Sequence, residues 1–186
     1  MLLFINNLNH TIMAKFEKNQ SLIDQYAKVI LASGGTKDAN FDNVEIRDMN
    51  NVGFRDGEIF KIDKSQRYIR KVTAGGRTND APLLLVTMED GSVKELYLSM
   101  LSRSVNVCDE AGKLTGQIDE AKGSAAEAWK KFKVASEAVN AFDGKYIKVK
   151  NRRQPWRLAP NAAGDMKPRR QTIYDFVFCK EDGTEE

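Results

Sequence analysis

Apolar positions fall into two periods along the chain. Leu22, Ile23, Tyr26, Ile30 and Leu31 form one stripe at helical spacing. Ser21 with Asp24 resembles a capping box at its start, and Gly34-Gly35 offers positive φ for its end. Residues 36–56 are rich in Asp, Asn and Gly and read as a loop-rich bridge, with one short candidate strand around Val44-Glu45-Ile46. From Gly57 onward the period shortens to two. Residues 58–62 alternate weakly, residues 67–72 follow a polar break at 63–66, and Gly75-Gly76 marks a turn.

Residues 82–89 and 92–99 enclose Asp90-Gly91, a pair that accepts the positive φ angles of a two-residue type I′ turn. That turn predicts a hairpin in which Met88 opposes Val93, Val86 opposes Glu95 and Leu84 opposes Tyr97. Leu85 with Leu96 and Leu83 with Leu98 then line the other face. Apolar residues on both faces predict a central hairpin rather than an exposed flap. Val105 and Val107 continue a strand, residues 109–112 form a turn, and residues 113–123 are polar and Gly-containing. Ser124-Ala-Ala-Glu127 is a capping box opening a helix through Trp129 and Phe132. The helical pattern resumes at Ala135 or Ser136 and stops at Asp143-Gly144. Residues 146–150 and 172–178 complete the set as two strand-like runs, and no repeat of 20–50 residues is visible.

In order, the core reads as strands at 67–73, 82–89, 92–107, 145–151 and 171–179, with the helical section at 124–142. This is the chain order of an OB-fold: an α+β, β-rich, OB-like five-stranded barrel with one helical section between strands three and four, preceded by an N-terminal helix. An ordinary mixed α+β sheet has the same order and stays open. The organisation expected is residues 1–12 as a candidate upstream extension, 13–56 as helix and bridge, 57–180 as the β-rich domain and 181–186 as an acidic tail. Residues 1–12 hold only a short apolar patch, below the roughly 7–15 residues of a signal-peptide core, and Met13-Ala14-Lys15 resembles a second start.

Charge sharpens the picture. Between positions 145 and 170 there are nine Lys or Arg and one acid, Asp165, so this stretch carries +8. The whole chain carries only +3, which leaves the other residues at −5. A basic segment on an otherwise acidic protein is an electrostatic footprint for polyanions. There is no apolar run of about 18 residues, so no membrane span is expected. Cys108 and Cys179 have no metal-binding spacing, and Cys179 reads as a buried free thiol of a reduced, cytoplasmic protein.

The candidate site residues are Arg152, Arg153, Trp156, Arg157 and Lys167 in the connection between the last two strands, with Arg169 and Arg170 at the root of the returning strand. Arg and Lys neutralise phosphates, and an exposed Trp stacks on an unpaired base. The bland alternative is a solvated loop whose Trp156 folds back onto the sheet. Lys148 and Lys150 share a strand face with Tyr146, either an open binding surface or a solvated outer face. Arg77 joins the set because an OB-fold places the connections after strands one and four on one ligand surface. Tyr68, Arg70 and Tyr97 are weaker candidates, while Tyr174, Phe176 and Phe178 read as a core row. The acids at the C-terminus compete with polyanions for a basic groove, recruit a basic partner, or merely form a polar end. Catalytic groupings are missing: the only histidine is His10, and no phosphate-binding or dinucleotide glycine motif occurs.

The hairpin at Asp90-Gly91, the stretch Val107-Cys-Asp-Glu-Ala-Gly-Lys113, the helical section and Phe142-Asp-Gly-Lys-Tyr-Ile-Lys-Val149 resemble the layout of small uncharacterised proteins of tailed phages that infect gut bacteria. That resemblance spans roughly residues 57–180, carries no functional residues over, and implies a nucleic-acid-handling or virion-assembly setting. The function expected is a non-enzymatic module, without cofactor or metal, that binds single-stranded DNA or RNA by backbone charge and base stacking. The alternatives are a virion or assembly protein docking on an acidic protein surface, and a host-directed inhibitor.

Overall fold

The computed structural model describes residues 14–32, 53–74 and 77–186, the side chains of 29–32 and 68–81 excepted. The expected strand at 44–46 and the Gly34-Gly35 helix stop lie outside these residues. The first element among the described residues is α1 (Gln20–Ala32), capped not by Ser21 but by Asn19, whose Oδ1 accepts from the Leu22 N–H at 3.0 Å. The strands that follow are β1 (Ile59–Lys61), β2 (Arg67–Ala74), β3 (Arg77–Met88), β4 (Val93–Tyr97), β5 (Ser104–Cys108) and β6 (Leu114–Glu120). Helices α2 (Ser124–Lys130) and α3 (Ala135–Phe142) precede β7 (Tyr146–Arg153), β8 (Trp156–Pro160), β9 (Met166–Arg170) and β10 (Ile173–Cys179).

Six strands build one antiparallel sheet, in which β10 pairs with β7, β7 with β1, β1 with β3, and β3 also with β2 and β4. Leu83 and Leu84 each pair with both β2 and β4, and Thr87 with both β1 and β4. Strands β1 and β2 therefore follow one another along one edge of β3, and β4 takes the other. Two further antiparallel pairs, β5–β6 and β8–β9, stand apart from this sheet.

Among the described residues no sheet closes into a barrel, so the OB-like barrel is corrected to an open α+β sheet. Two features prevent closure. The expected third strand splits, because Leu98–Ser102 forms a 3-10 turn that carries β5 out of the sheet to pair with β6. The three-residue β1, too short to stand out in the sequence, inserts between β3 and β7. The free edge of β10 is covered by the entry to α2: the Phe176 N–H donates to the Lys122 carbonyl, and the Phe178 N–H to Ser124 Oγ. Ser124 thus serves the sheet edge and not the helix start, where Gly123 is the cap residue and no side chain bonds.

The predicted β3–β4 hairpin is present, but one residue out of the expected register. Leu84 opposes Leu96, Val86 opposes Lys94 and Thr87 opposes Val93. Gly91, at φ +81°, is the turn's only positive-φ residue, whereas type I′ needs two. The Gly91 N–H donates to the Met88 carbonyl and the Met88 N–H to the Ser92 carbonyl, giving a three-residue loop with a glycine bulge.

Both faces of this hairpin are covered, as their composition requires. On one, Leu84, Val86, Leu96, Ile147, Val149 and Phe176 pack under Trp129, Val139 and Phe142 of the two short helices. Tyr174 joins that core and Phe178 packs against it, so the aromatic row of β10 is structural. On the other face Leu83, Leu85 and Val93 meet Leu22, Ile23 and Tyr26 of α1. Lys94 is buried on the core side, where its ammonium bonds Glu58 at 2.6 Å and the Gly53 carbonyl at 2.8 Å. Both cysteines are free and buried. No helix among the described residues is long and apolar enough to cross a membrane.

Gly123 offers a direct test of the packing of α2 on β10. Its φ is +104°, and a Cβ there would sit 2.2 Å from the Phe176 carbonyl oxygen. Gly123→Ala is expected to cost more than about 3 kcal/mol in urea unfolding. Gly116→Ala, at φ +78° but with nothing within 4 Å, is expected to cost only about 1–2 kcal/mol.

Candidate functional site

The basic connection is not a loop. It continues the β7–β10 pair outward as a two-stranded ribbon. Arg153 opposes Ile173, the Gln171 N–H donates to the Pro155 carbonyl at 3.0 Å, and Trp156 opposes Arg170. The register runs unbroken across the junction, and β8 and β9 extend it for five residues each, or roughly 17 Å. The tip closes on Asn161, whose Oδ1 accepts from the N–H groups of Ala163 and Asp165.

Strand pairing sorts the ribbon's side chains by face. Arg157 opposes Arg169 and Ala159 opposes Lys167 on one face. On the other, Trp156 opposes Arg170 and Leu158 opposes Pro168. Like charges directly across a strand pair destabilise it, so the Arg157–Arg169 pair is a local cost. The Arg170 guanidinium lies 4.3 Å from the centre of the half-buried Trp156 ring and donates to the Gln154 carbonyl. Arg152, Arg157, Lys167 and Arg169 form no ion pair or hydrogen bond through their side chains among the described residues. A further cation, Arg103, donates to the Thr172 carbonyl, and burial followed by the nearby charge of Arg157 pushes its guanidinium down from the ordinary value.

The remaining candidates have other roles. Arg153 is a structural clasp: it pairs with Asp119 of β6 and, at 2.6 Å, with Asp175 of β10, and it donates to the Glu120 carbonyl. Lys150 pairs with Glu185 at 2.8 Å, and Lys148 donates to the Gly183 carbonyl. Residues 182–186 thus fold back along β10, with Glu185 bridging to Cys179. The hydrogen bond from Lys150 holds the Glu185 carboxyl below its ordinary range. Tyr146 is packed against by Phe16 and crossed by Lys61, so the Tyr146–Lys148–Lys150 face is not an open surface. Arg77 opens β3 opposite Ala74. Strands β3 and β7 run parallel to each other through β1, which puts Arg77 and the ribbon at opposite ends of the sheet. The structure therefore does not bring Arg77 to the basic segment, and its side chain lies outside the described residues.

Sequence reasoning missed one hairpin and three exposed apolar side chains. The β5–β6 hairpin lies against the ribbon, with Leu158 and Pro168 beside Gly112 at its turn. Leu114 and Ile118 on β6 and Met166 on β9 are exposed apolar side chains at 56%, 67% and 56%. Strand β6 gave no alternation to read, because nearly all of it is exposed. Among the described residues no cluster of His, Cys, Asp or Glu is arranged to hold a metal ion.

No protein-family model matches the chain, and no curated protein or solved structure matches it either. The functional reading rests on the ribbon's own chemistry.

The Arg153 clasp predicts a separable defect. Arg153→Met leaves Asp119 and Asp175 facing each other without a cation and is expected to cost about 3 kcal/mol. Hydrogen exchange should show β5–β6 and β8–β9 losing protection while β3 and β4 keep theirs. Arg153→Lys should recover only part of the loss, because an ammonium cannot fork between two carboxylates and a carbonyl.

Proposed function

We propose that the protein binds nucleic acid through the β8–β9 ribbon. The observation that carries this reading is the gathering of unpaired cations on and beside one ribbon; single lysines elsewhere, such as Lys61 and Lys131, also meet no carboxylate among the described residues. Lys15, Lys18, Lys64, Lys94, Lys130, Lys150 and Arg153 each meet a carboxylate. Arg152, Arg157, Lys167, Arg169 and Arg170 meet none among the described residues, and the ribbon's one acid, Asp165, is held in its tip by Asn161. Two arginines directly across a ladder repel one another until an anion lies between them. A two-stranded ribbon also fits a groove or wraps a strand. Single-stranded nucleic acid is the preferred form, because the Arg170 guanidinium stacked on Trp156 offers a planar cation on which an unpaired base can lie.

A second reading, docking on an acidic protein surface as an assembly protein would, draws on the exposed Leu114 and Met166 beside Arg157. Interface cores combine apolar side chains with Arg in this manner.

Salt titration of binding to a fluorescent oligonucleotide distinguishes the two. Replacing Arg152, Lys167 and Arg169 together with Gln is expected to weaken binding to all sequences alike. The slope of log affinity against log salt should fall by about 0.7 per lost phosphate contact, or roughly two for three contacts. Trp156→Ala is expected to cost about 1–3 kcal/mol with the slope almost unchanged, because a stacked base releases no counterion. Full displacement of the oligonucleotide by an acidic protein at equal charge would favour the second reading.

A further inference from the structure

Between the β5–β6 hairpin and the β8–β9 ribbon lies a cleft of about 370 Å³, within the size range of small-ligand sites. Its lining divides by chemistry. Leu114 and, from one face of the ribbon, Leu158 and Met166 supply apolar walls, Arg157 of the opposite face also borders the cleft and supplies a charge, and Ser104 and Asn106 supply neutral donors and acceptors. The apolar side is unusual for a surface, since Leu114 and Met166 are both more than half exposed to water. The charged side is equally unbalanced. Among the described residues Arg157 has no acid partner and its Nε is buried without a hydrogen bond, while the like charge of Arg103 lies nearby. The side chains of Ser104 and Asn106 likewise have no hydrogen-bond partner among the described residues. A site with one anion-binding corner, apolar walls and an amide able both to donate and to accept suits a ligand with a phosphate at one end and a flat, edge-polar ring at the other. Simple anions would leave the walls idle, and an apolar ligand would leave Arg157 uncompensated.

We propose that this cleft takes a single nucleotide unit, its phosphate at Arg157 and its base against Leu114, Leu158 and Met166, with Asn106 placed to read the base edge. The proposal rests on the nucleic-acid reading of the ribbon and deepens it. Charge along β8–β9 holds the strand's backbone, while the cleft captures one nucleotide and gives the strand a fixed register on the protein.

The test uses full-length protein with 13C-labelled Leu and Met methyl groups, titrated separately with a nucleoside monophosphate, the same nucleoside without phosphate, inorganic phosphate and an oligonucleotide. Saturable shifts of the Leu114 and Met166 methyls with the monophosphate are expected, with much weaker response to either half alone. Arg157→Gln is expected to weaken the monophosphate by about tenfold or more, the scale of a lost charged hydrogen bond. Met166→Glu, at an exposed position that leaves the fold intact, should act in the same direction. Inorganic phosphate binding as tightly as the monophosphate would overturn the proposal, reducing the cleft to an anion site. An oligonucleotide that binds without moving the Leu114 and Met166 methyls would also overturn it, with the ribbon reading untouched. Binding of the monophosphate but of no oligonucleotide would sustain the cleft and defeat the ribbon reading.

Discussion

One guanidinium ties together the elements at one end of the sheet. Arg153 ends β7 and reaches Asp119 on β6, Asp175 on β10 and the Glu120 carbonyl. Asp175 also accepts from the Lys122 N–H, which leads into α2. The β5–β6 hairpin, the root of the ribbon and the start of the helical section thus share a single ionic node. The node is imperfect, since Arg153 Nε is buried with no partner among the described residues, an omission that costs about 1–3 kcal/mol. The fold tolerates this because only a rigid planar fork satisfies two carboxylates and a carbonyl at once. The position of β6 relative to β8, and therefore the cleft between them, follows from that fork.

The same node shows why charge alone is a poor guide to a binding surface. Nine cations in one segment give a strong sequence signal, yet Arg153 and Lys150 are matched by acids 34 and 35 residues away, and Lys148 by a backbone carbonyl. Pairings at that separation leave no local trace. Among the described residues, the cations of this segment left without an ion pair include Arg157, Lys167, Arg169 and Arg170 on the ribbon and Arg152 near the end of β7.

Features governed by near neighbours were legible in the sequence. The amphipathic α1, the β3–β4 hairpin with two buried faces, the turn at 109–112, the break between α2 and α3 and the pairing of β7 with β10 all follow from period and turn chemistry. The failures arise where tertiary contacts choose among locally equivalent options. Asp90-Gly91 suits two hairpin loops of different length, and the structure uses the one in which Asp90 accepts from the Ser92 N–H, moving the register by one. Ser124 matches a cap motif but is claimed by the edge of β10. Strand order alone left closure undecided, and a three-residue strand together with a 3-10 turn decided it. Within the candidate site, the basic and aromatic residues could be read directly. Their hairpin partner could not, because an exposed polar strand looks like a loop.

The continuous register from Asn151–Asp175 outward into β8–β9, beyond the one-residue shift at Phe176, has a bearing on how such a protein can diverge. Side chains alternate between faces with a period of two, so a single inserted residue in one strand would swap every later side chain to the wrong side. Insertions of two residues, matched across both strands, would instead lengthen the arm while keeping each face's composition. Changes at the Asn161 to Asp165 tip would alter neither register nor core. Reach is thus an evolvable property here, adjustable in steps of about 7 Å, while the sheet that anchors it stays the same.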